Sequence, residues 1–205
     1  MSGYIGINLR DLLNDDTIGE DAVKKLLSSF YCPLNPDVER FLHSNAIEFS
    51  KQGLASTHLI MASYKNEYVL CGYFALAIKS FCLDKSAIPN ANWRRRLNKF
   101  ARFDNKVQRY IISAPLIGQL GKNFANNYNE LITGDELLFL ALNKVRELQY
   151  IAGGKIVYLE CEQKESLISF YLRNGFVNFG ERNLDRDETS VMSGESLIQM
   201  LRYMG

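Results

Sequence analysis

One tyrosine of the chain lies on the apolar face of a short helix signal, where it could serve either chemistry or packing. Tyr171 lies in the segment ESLISFYLRNGF, and the apolar residues of this segment fall on one helical stripe, Leu167, Ile168, Tyr171 and Leu172. Gly175 can adopt the left-handed conformation that ends a helix, and Phe176 then folds back onto that helix. A phenol at a helix end could donate a proton during catalysis. Aromatic residues at helical spacing usually pack in a core, so the pattern leaves both interpretations open.

A second candidate lies in NELITGDELL, at the start of the strongest helix signal in the chain. Thr133 and Glu136 have the S/T-x-x-E spacing of a capping box, with Gly134 just inside it. A helix N-terminus that follows a glycine-containing loop offers free N–H groups and the positive end of the helix dipole to an anion. Plain helix capping is the alternative, because Asp135 and Glu136 already present negative charge to the same amides.

Hydrophobic periodicity assigns the elements that must position these residues. Strands are predicted in YIGINLRDLL, in STHLIMASYKNEYVLCGYFALAIKSFCL with a turn at residues 65–67, in YIISAPLIGQL, KIVYLECE, FVNFGER and SLIQMLRYM. Helices are predicted in DDTIGEDAVKKLLSSF, DVERFLHSNAIEFSKQG, DELLFLALNKVRELQY and the Tyr171 segment, with a short one around WRRRLNKFA. An acidic loop is expected between the last two strands. The strand–helix–strand–helix–strand order of the second half implies parallel pairing in a sheet covered by helices.

Bulk properties narrow the class of protein. The chain has 205 residues, of which 47% are hydrophobic, and we expect one domain over 1–205 with a basic insertion at about 84–109. The net charge of +1 argues against a polyelectrolyte built for nucleic acid. No apolar run reaches the length of a membrane span, and the N-terminus lacks a secretory pattern. Four scattered cysteines predict buried free thiols, and a cytoplasmic location with no membrane partner follows.

The order of the elements and two motifs resemble a known superfamily. FYLRNGF is similar to the FYxKxGF signature of the GNAT superfamily of acyl-CoA-dependent N-acyltransferases, and LIGQLGKN…NELITGDELL is similar to its coenzyme A-binding strand–loop–helix unit. The motifs lie within residues 116–180, while the topology covers most of the chain. The resemblance implies an α/β (α+β) GNAT-like mixed sheet of six to seven strands flanked by helices, with a splayed strand pair that binds acyl-CoA.

The resemblance also implies which residues hold acetyl-CoA as cosubstrate. The backbone of 119–123 stands where the family bonds the pantetheine arm, and 129–134 stands where loop amides wrap the pyrophosphate. The implied cofactor-binding residues are Leu120, Gly121, Lys122, Asn129, Leu131, Ile132, Thr133, Gly134 and Asp135. Ile132 replaces the middle glycine of the motif, and the loop before it is about two residues longer than usual. A β-branched residue resists the backbone angles that a glycine provides.

By the same resemblance, Tyr171 is the catalytic acid that protonates the departing thiolate of coenzyme A. A substrate amine would attack the acetyl thioester directly in a ternary complex. No residue is a firm candidate for the base. Gln119 stands where some relatives have a carboxylate, and the nearby Glu160 and Glu162 are expected to be solvated surface groups. His43 and His58 are too isolated for a catalytic or metal site, and no metal is expected.

The basic segment NWRRRLNKFARFDNK is the only indication of the acceptor. Its arginines Arg94, Arg95 and Arg96, with interleaved aromatic residues, could contact RNA, as aminoacyl-tRNA acetylation would need. A solvated or homodimer-forming insertion is the alternative, and small amines and proteins stay open as acceptors. Two other classes of function compete with the enzyme. They are a non-catalytic acyl-CoA-binding module and a nucleic-acid-binding module on the same fold.

Overall fold

The structure is a computed structural model that describes residues 3–184 and 196–205. These residues form two compact units, each assembled from two stretches of chain. The first unit comprises Met1–Ala77 and Gly118–Asn143, and the second comprises Ile78–Ile117 and Lys144–Gly205. The organisation as one domain stays a prediction. Within the described part of the chain, no helix combines the length and the hydropathy that crossing a bilayer requires.

The first unit contains an antiparallel sheet and four short helices. Its strands are β1 (Ile5–Asn8), β2 (Ser56–Tyr64) and the first part of β3 (Glu67–Asp84). Its helices are α1 (Leu9–Leu13), α2 (Glu20–Ser28), α3 (Pro36–Arg40) and α4 (Ala46–Gln52), with a π-helical turn at Phe41–Asn45 before α4. The core of this unit is apolar and includes Phe30, Leu42, Leu59, Leu70 and Tyr73.

Local signals explain why the elements of the first unit begin and end where they do. The Asn35 side chain accepts hydrogen bonds from the amides of Asp37 and Val38, and so caps α3. Gly53 ends α4 with a φ of 72°, the left-handed conformation in which glycine carries no steric penalty. The predicted β2–β3 turn is confirmed, and its residues Lys65 and Asn66 both have positive φ.

The second unit holds the remaining strands and a basic helix. It contains the end of β3, α5 (Ala91–Phe100), β4 (Ala101–Asp104), most of β5 (Arg109–Lys122), β6 (Ile156–Cys161), α7 (Glu165–Arg173), β7 (Val177–Asn183) and β8 (Ser196–Tyr203). The long helix α6 (Gly134–Ala152) contributes residues to both units. Trp93 and Leu97 of α5 pack into a core with Phe179, whose ring meets Trp93 edge-on at 4.9 Å.

The fold class is confirmed as a mixed α/β fold with a sheet flanked by helices. The described residues form eight strands rather than six to seven, in the order β1-β2-β3-β5-β6-β8-β7, with β4 paired to β5. The expected parallel pairing is wrong for most of the second half. Among the described strands of the second half, β5 and β6 pair in parallel, through Leu116 and Tyr158, while β8 inserts between β6 and β7 and pairs antiparallel with both.

The structure differs from the expectations at Leu172 and Cys82, and it contains one strand that was not expected. Leu172 does not share the buried stripe of Tyr171, because its side chain is 46% exposed. Cys82 is an exposed thiol, whereas the cysteines at 32, 71 and 161 are free and buried as expected. The acidic loop lies mostly outside the described residues. The strand β4 was not expected, since its four residues follow α5 inside the basic insertion.

Candidate active site

Tyr171 sits at the end of α7 in the second unit, held by the helix stop that follows it. The Phe176 amide donates to the Tyr171 carbonyl at 3.1 Å, and the Gly175 amide donates to the Leu172 carbonyl at 3.0 Å. This is the bonding pattern of a Schellman motif, and Gly175 has the left-handed φ of 79° that the motif needs. The rings of Tyr171 and Phe176 meet with centroids 5.7 Å apart. The glycine stop predicted from the sequence therefore also fixes the tyrosine.

The Tyr171 phenol is buried and protonated at physiological pH. Its side chain is 9% exposed, and burial is the main cause that raises its pKa above the ordinary value of 10.0, with a smaller contribution from Cys161. Burial also raises the pKa of the Cys161 thiol, to about 11. Among the described residues, the Tyr171 hydroxyl has no hydrogen-bond partner. The phenol is therefore a proton donor without an internal acceptor.

The capping box at the start of α6 forms as predicted. The Thr133 amide and hydroxyl both donate to Glu136 Oε2 at 2.8 Å, and the Glu136 amide donates to Thr133 Oγ1 at 3.1 Å. The bonds from Thr133 lower the pKa of the Glu136 carboxyl. Within the described part of the chain, the amide of Gly134 has no partner. One N-terminal amide of α6 therefore stays available to an anion.

The loop before α6 is tied down by side chains on both sides. The Lys122 ammonium donates to the Asn129 carbonyl at 2.9 Å, and the Tyr4 hydroxyl donates to the Leu131 carbonyl at 2.9 Å. Ile132 is 1% exposed, so burial of its side chain also anchors the loop. Asp135, in contrast, is exposed on the first turn of the helix.

The unusual backbone angles of this loop lie upstream of Ile132. Asn126 and Asn127 have φ of 50° and 62°, while Ile132 does not have a positive φ. Asparagine is one of the few residues other than glycine that enter this region readily. The loop thus obtains its left-handed turn from asparagines, and Ile132 adopts an ordinary conformation.

Asn123 organises the same loop with its side chain, whereas the resemblance had implied a role only for its backbone. It is 0% exposed, and its Oδ1 accepts from the amides of Tyr31 and Ala125 at 2.9 and 3.0 Å. Its Nδ2 donates to the Leu70 carbonyl at 2.8 Å and to the Ser29 carbonyl at 3.4 Å. A buried polar side chain with all its groups satisfied fixes the chain where β5 ends. A polar residue directly after a strand is the one local signal that could have indicated it.

Two candidate residues of β5 have packing or polar roles in the first unit. A Cβ on Gly121 would lie 2.4 Å from Val38 Cγ1, so the glycine lets α3 approach β5. The Gln119 amide donates to Asp37 Oδ2 at 3.1 Å, and Arg40 holds the other oxygen of Asp37 at 2.6 Å. A carboxylate therefore does contact Gln119 of β5, and it belongs to Asp37 of α3. Leu120 lies between these two residues and is partly buried.

A cleft of about 850 Å³ opens within the second unit, and sequence reasoning did not foresee it. Its wall includes Glu160, which was expected to be a solvated surface group. Instead, Glu160 Oε2 accepts from Arg182 at 2.5 Å and Oε1 accepts from Gln199 at 3.1 Å, and the side chain is only 15% exposed. Glu162 lies outside this wall and pairs with Lys164 at 2.6 Å.

The basic helix α5 turns only part of its arginines to solvent. Arg94 and Arg95 are exposed, whereas the Arg96 guanidinium lies 4.2 Å from the centre of the Tyr203 ring and 5.4 Å from that of Trp93. Such cation–π contacts stabilise the packing of α5 on its own unit. The two isolated histidines also have structural contacts, because His43 bonds the Phe30 carbonyl at 2.9 Å and His58 stacks on Phe74.

Comparison with known proteins gives no match to a family model and none to a curated sequence. Solved structures do match. One described as a bacterial toxin is 14% identical, with a TM-score of 0.62 over 100% of this chain and 92% of its own. AtaT complexed with acetyl-methionyl-tRNAfMet is 16% identical, with a TM-score of 0.59 over 96% and 94%. AtaTR bound with AcCoA is 17% identical, with a TM-score of 0.56 over 96% and 92%. At these identities the comparison shows the fold alone, and the chain shares the GNAT-like fold of these structures.

Proposed function

We propose that the chain is an acetyl-CoA-dependent N-acetyltransferase with Tyr171 as its general acid. The observation that carries the proposal is the buried Tyr171 phenol, which is protonated and has no hydrogen-bond partner among the described residues. A phenol in this state can give its proton to a leaving group without first breaking an internal bond. The similarity in fold to a structure bound with AcCoA supports acetyl-CoA as the donor.

In the proposed reaction, the amine nitrogen of the acceptor attacks the thioester carbonyl and forms the new N–C bond. The C–S bond then breaks, and the sulfur takes the proton of the Tyr171 hydroxyl. The nitrogen loses a proton to solvent, and the phenolate left on Tyr171 takes a proton from solvent, so the phenol is restored and the step balances. Because burial raises the pKa of Tyr171, its phenol is a weaker acid than an ordinary tyrosine, and proton transfer has to be driven by the negative charge that develops on sulfur.

For the cofactor, we propose that the amide of Gly134 contributes to pyrophosphate binding at the start of α6. A helix N-terminus supplies both the donor and a positive partial charge for this purpose. The other proposed contacts stay those implied by the resemblance, namely Leu120, Gly121, Lys122, Asn129, Leu131, Ile132, Thr133 and Asp135. The loop is held in shape by the bonds from Lys122 and Tyr4, which keep its carbonyls engaged.

The proposed acceptor is the α-amino group of an aminoacyl-tRNA. The similarity in fold to AtaT complexed with acetyl-methionyl-tRNAfMet supports this class of acceptor. The exposed Arg94 and Arg95 of α5 add two cations that can contact phosphates. Arg96 is the weakest member of the predicted RNA contact, because its guanidinium already packs on aromatic rings.

The test is acetyl transfer from radiolabelled acetyl-CoA to total aminoacyl-tRNA, measured as acid-precipitable label. The wild-type protein should label the tRNA. Tyr171→Phe should lower turnover by about 10²–10⁴-fold, the usual contribution of a general acid, while acetyl-CoA affinity stays unchanged. Tyr150→Phe is the matched control, since Tyr150 is 92% exposed and should leave turnover unaltered. Equal turnover in both variants would refute the role of Tyr171.

A non-catalytic acyl-CoA-binding module is the second candidate, and the capping box favours it. Thr133 and Glu136 consume two of the amides that a pyrophosphate would use, and the Glu136 carboxylate brings negative charge to the same place. This candidate predicts that acetyl-CoA raises the melting temperature of the protein although no acceptor is acetylated.

A further inference from the structure

The cleft of the second unit carries a negative charge whose position is fixed. Arg182 and Gln199 hold the Glu160 carboxylate from two sides, at 2.5 and 3.1 Å. An ionised carboxylate can accept about four hydrogen bonds, so capacity remains for a further donor. Glu160 lies on β6, the strand that leads through residues 162–164 into α7, which carries Tyr171. A cationic group in the cleft would find an oriented, half-buried partner in Glu160.

The same cleft carries a positive charge that no acidic group of the described residues neutralises. Lys79 lines the cleft and has no acidic partner within residues 3–184 and 196–205. The neighbouring cation Arg109 is paired with Asp84 at 2.9 Å. An ammonium on a flexible stem binds phosphate as a point charge, and Lys79 is exposed enough to do so.

The charges of the described lining residues balance, which fits a ligand with both signs of charge. The cations of the lining are Lys79, Arg109 and Arg182, and its anions are Asp84, Glu160 and Glu181. A purely anionic or purely cationic ligand would meet as many repulsive as attractive groups. A ligand that carries one ammonium and one phosphate can pair both. The volume of about 850 Å³ lies in the range of roughly 300–1,000 Å³ that small-molecule sites have, and it suits a group the size of an aminoacyl nucleotide.

We propose that this cleft receives the aminoacyl-adenosine end of the acceptor, with its α-ammonium against Glu160 and a phosphate against Lys79. This assignment rests on the proposed function, since it names the groups that recognise the acceptor. Glu160 and Lys79 are specificity residues in this scheme, because they bind groups of the acceptor and leave the thioester to other residues. Arg182 and Gln199 are positioning residues that hold the Glu160 carboxylate.

The test measures binding without acetyl-CoA and so does not depend on turnover. The probe is adenosine monophosphate whose ribose carries a methionyl group in amide linkage. Two comparison molecules each lack one charge: one has no phosphate, and in the other the methionyl amine is acetylated. Isothermal titration gives each dissociation constant for the wild type, Lys79→Met and Glu160→Gln. The control variant is Lys144→Met, whose exposed ammonium pairs with Glu147 outside the cleft. Thermal melting checks that each variant is folded.

Removal of either charged group from the probe should weaken wild-type binding by about tenfold, the usual effect of one charged hydrogen bond. For Lys79→Met, removal of the phosphate should no longer change the dissociation constant, while removal of the ammonium still should. For Glu160→Gln, removal of the ammonium should no longer change it, while removal of the phosphate still should. Lys144→Met should behave as the wild type. The assignment is overturned if the probe does not bind, or if both variants keep the full sensitivity to both groups.

The two proposals fail in different ways. Acetyl transfer to tRNA, together with probe binding that does not depend on the two charges, would support the proposed activity and refute the acceptor site in the cleft. Probe binding that depends on both charges, without any acetyl transfer, would support the site in the cleft and refute the proposed activity.

Discussion

Gly121→Ala tests whether the close packing of α3 on β5 requires a glycine at position 121. The new Cβ would stand 2.4 Å from Val38 Cγ1, more than 1 Å inside the roughly 3.5–4.0 Å at which carbon atoms attract. Gly121 has no positive φ, so alanine is not strained by its backbone angles, and the cost is steric. Overpacking of this kind costs about 1–3 kcal/mol of unfolding free energy. For a chain of this size, the melting temperature should fall by roughly 2–4 °C for each of these kcal/mol.

A second substitution converts this estimate into a coupling energy. If Val38→Ala removes both Cγ atoms, the nearest neighbours of the new Cβ are Phe30 Cζ at 3.4 Å and the Cβ of residue 38 at 3.7 Å, which are ordinary contacts. Val38→Ala alone should cost about 1.6 kcal/mol for two lost methyl groups, plus a cavity contribution. The double variant should therefore be more stable than the sum of the single costs by about 1 kcal/mol or more.

Urea denaturation of the wild type, both single variants and the double variant completes the cycle. Gly6→Ala serves as the control, because its Cβ would meet only Ile60 Cδ1, at 3.7 Å. Strictly additive costs, or a Gly121→Ala variant as stable as Gly6→Ala, would refute the claim that these two elements pack in contact. Acetyl-CoA titration of the double variant then asks whether Gly121 also serves the cofactor.

Two further predictions concern the loop and the helix that follow β5. Glu136→Ala should lower the unfolding free energy by about 1 kcal/mol at neutral pH. Because the folded-state pKa of Glu136 is depressed below 4.5, this difference should persist above that pH and vanish as the pH falls through the lowered value. Urea melts across the acid range check it, and a constant difference would contradict it. Asn123→Leu should cost about 3 kcal/mol or more, since it leaves buried amides and carbonyls unpaired. The exposed Asn92→Leu should be nearly neutral in the same melts.

Elements with local stop and start signals were predictable from the sequence. Gly53 and Gly175 end their helices in the left-handed conformation, and the turn at Lys65 and Asn66 joins the predicted strands. The order of strands was less accessible, because hydrophobic alternation does not say which strand lies beside which. β8 inserts between β6 and β7, a choice made by long-range pairing such as Glu160 with Gln199.

The local features of the candidate site were also predictable, whereas its long-range contacts were not. The capping box and the end of the Tyr171 helix depend on residues that are close in sequence, and both form as expected. The bonds that fix the loop are different, because Asn123 meets Ser29 across 94 residues and Gln119 meets Asp37 across 82. The charges of the cleft likewise come from four strands, β3, β5, β6 and β7. A spacing pattern within one segment cannot contain such contacts.

The loop before α6 bears on the proposed cofactor binding, because the resemblance leads us to expect a glycine where this chain has Ile132. Asn126 and Asn127 lie in the left-handed region and turn the loop before the chain reaches Ile132. Ile132 has no positive φ and is 1% exposed, so it buries its side chain in an ordinary backbone conformation. Because the Gly134 amide at the start of α6 has no partner among the described residues, we expect that Ile132 does not prevent the proposed binding of a pyrophosphate.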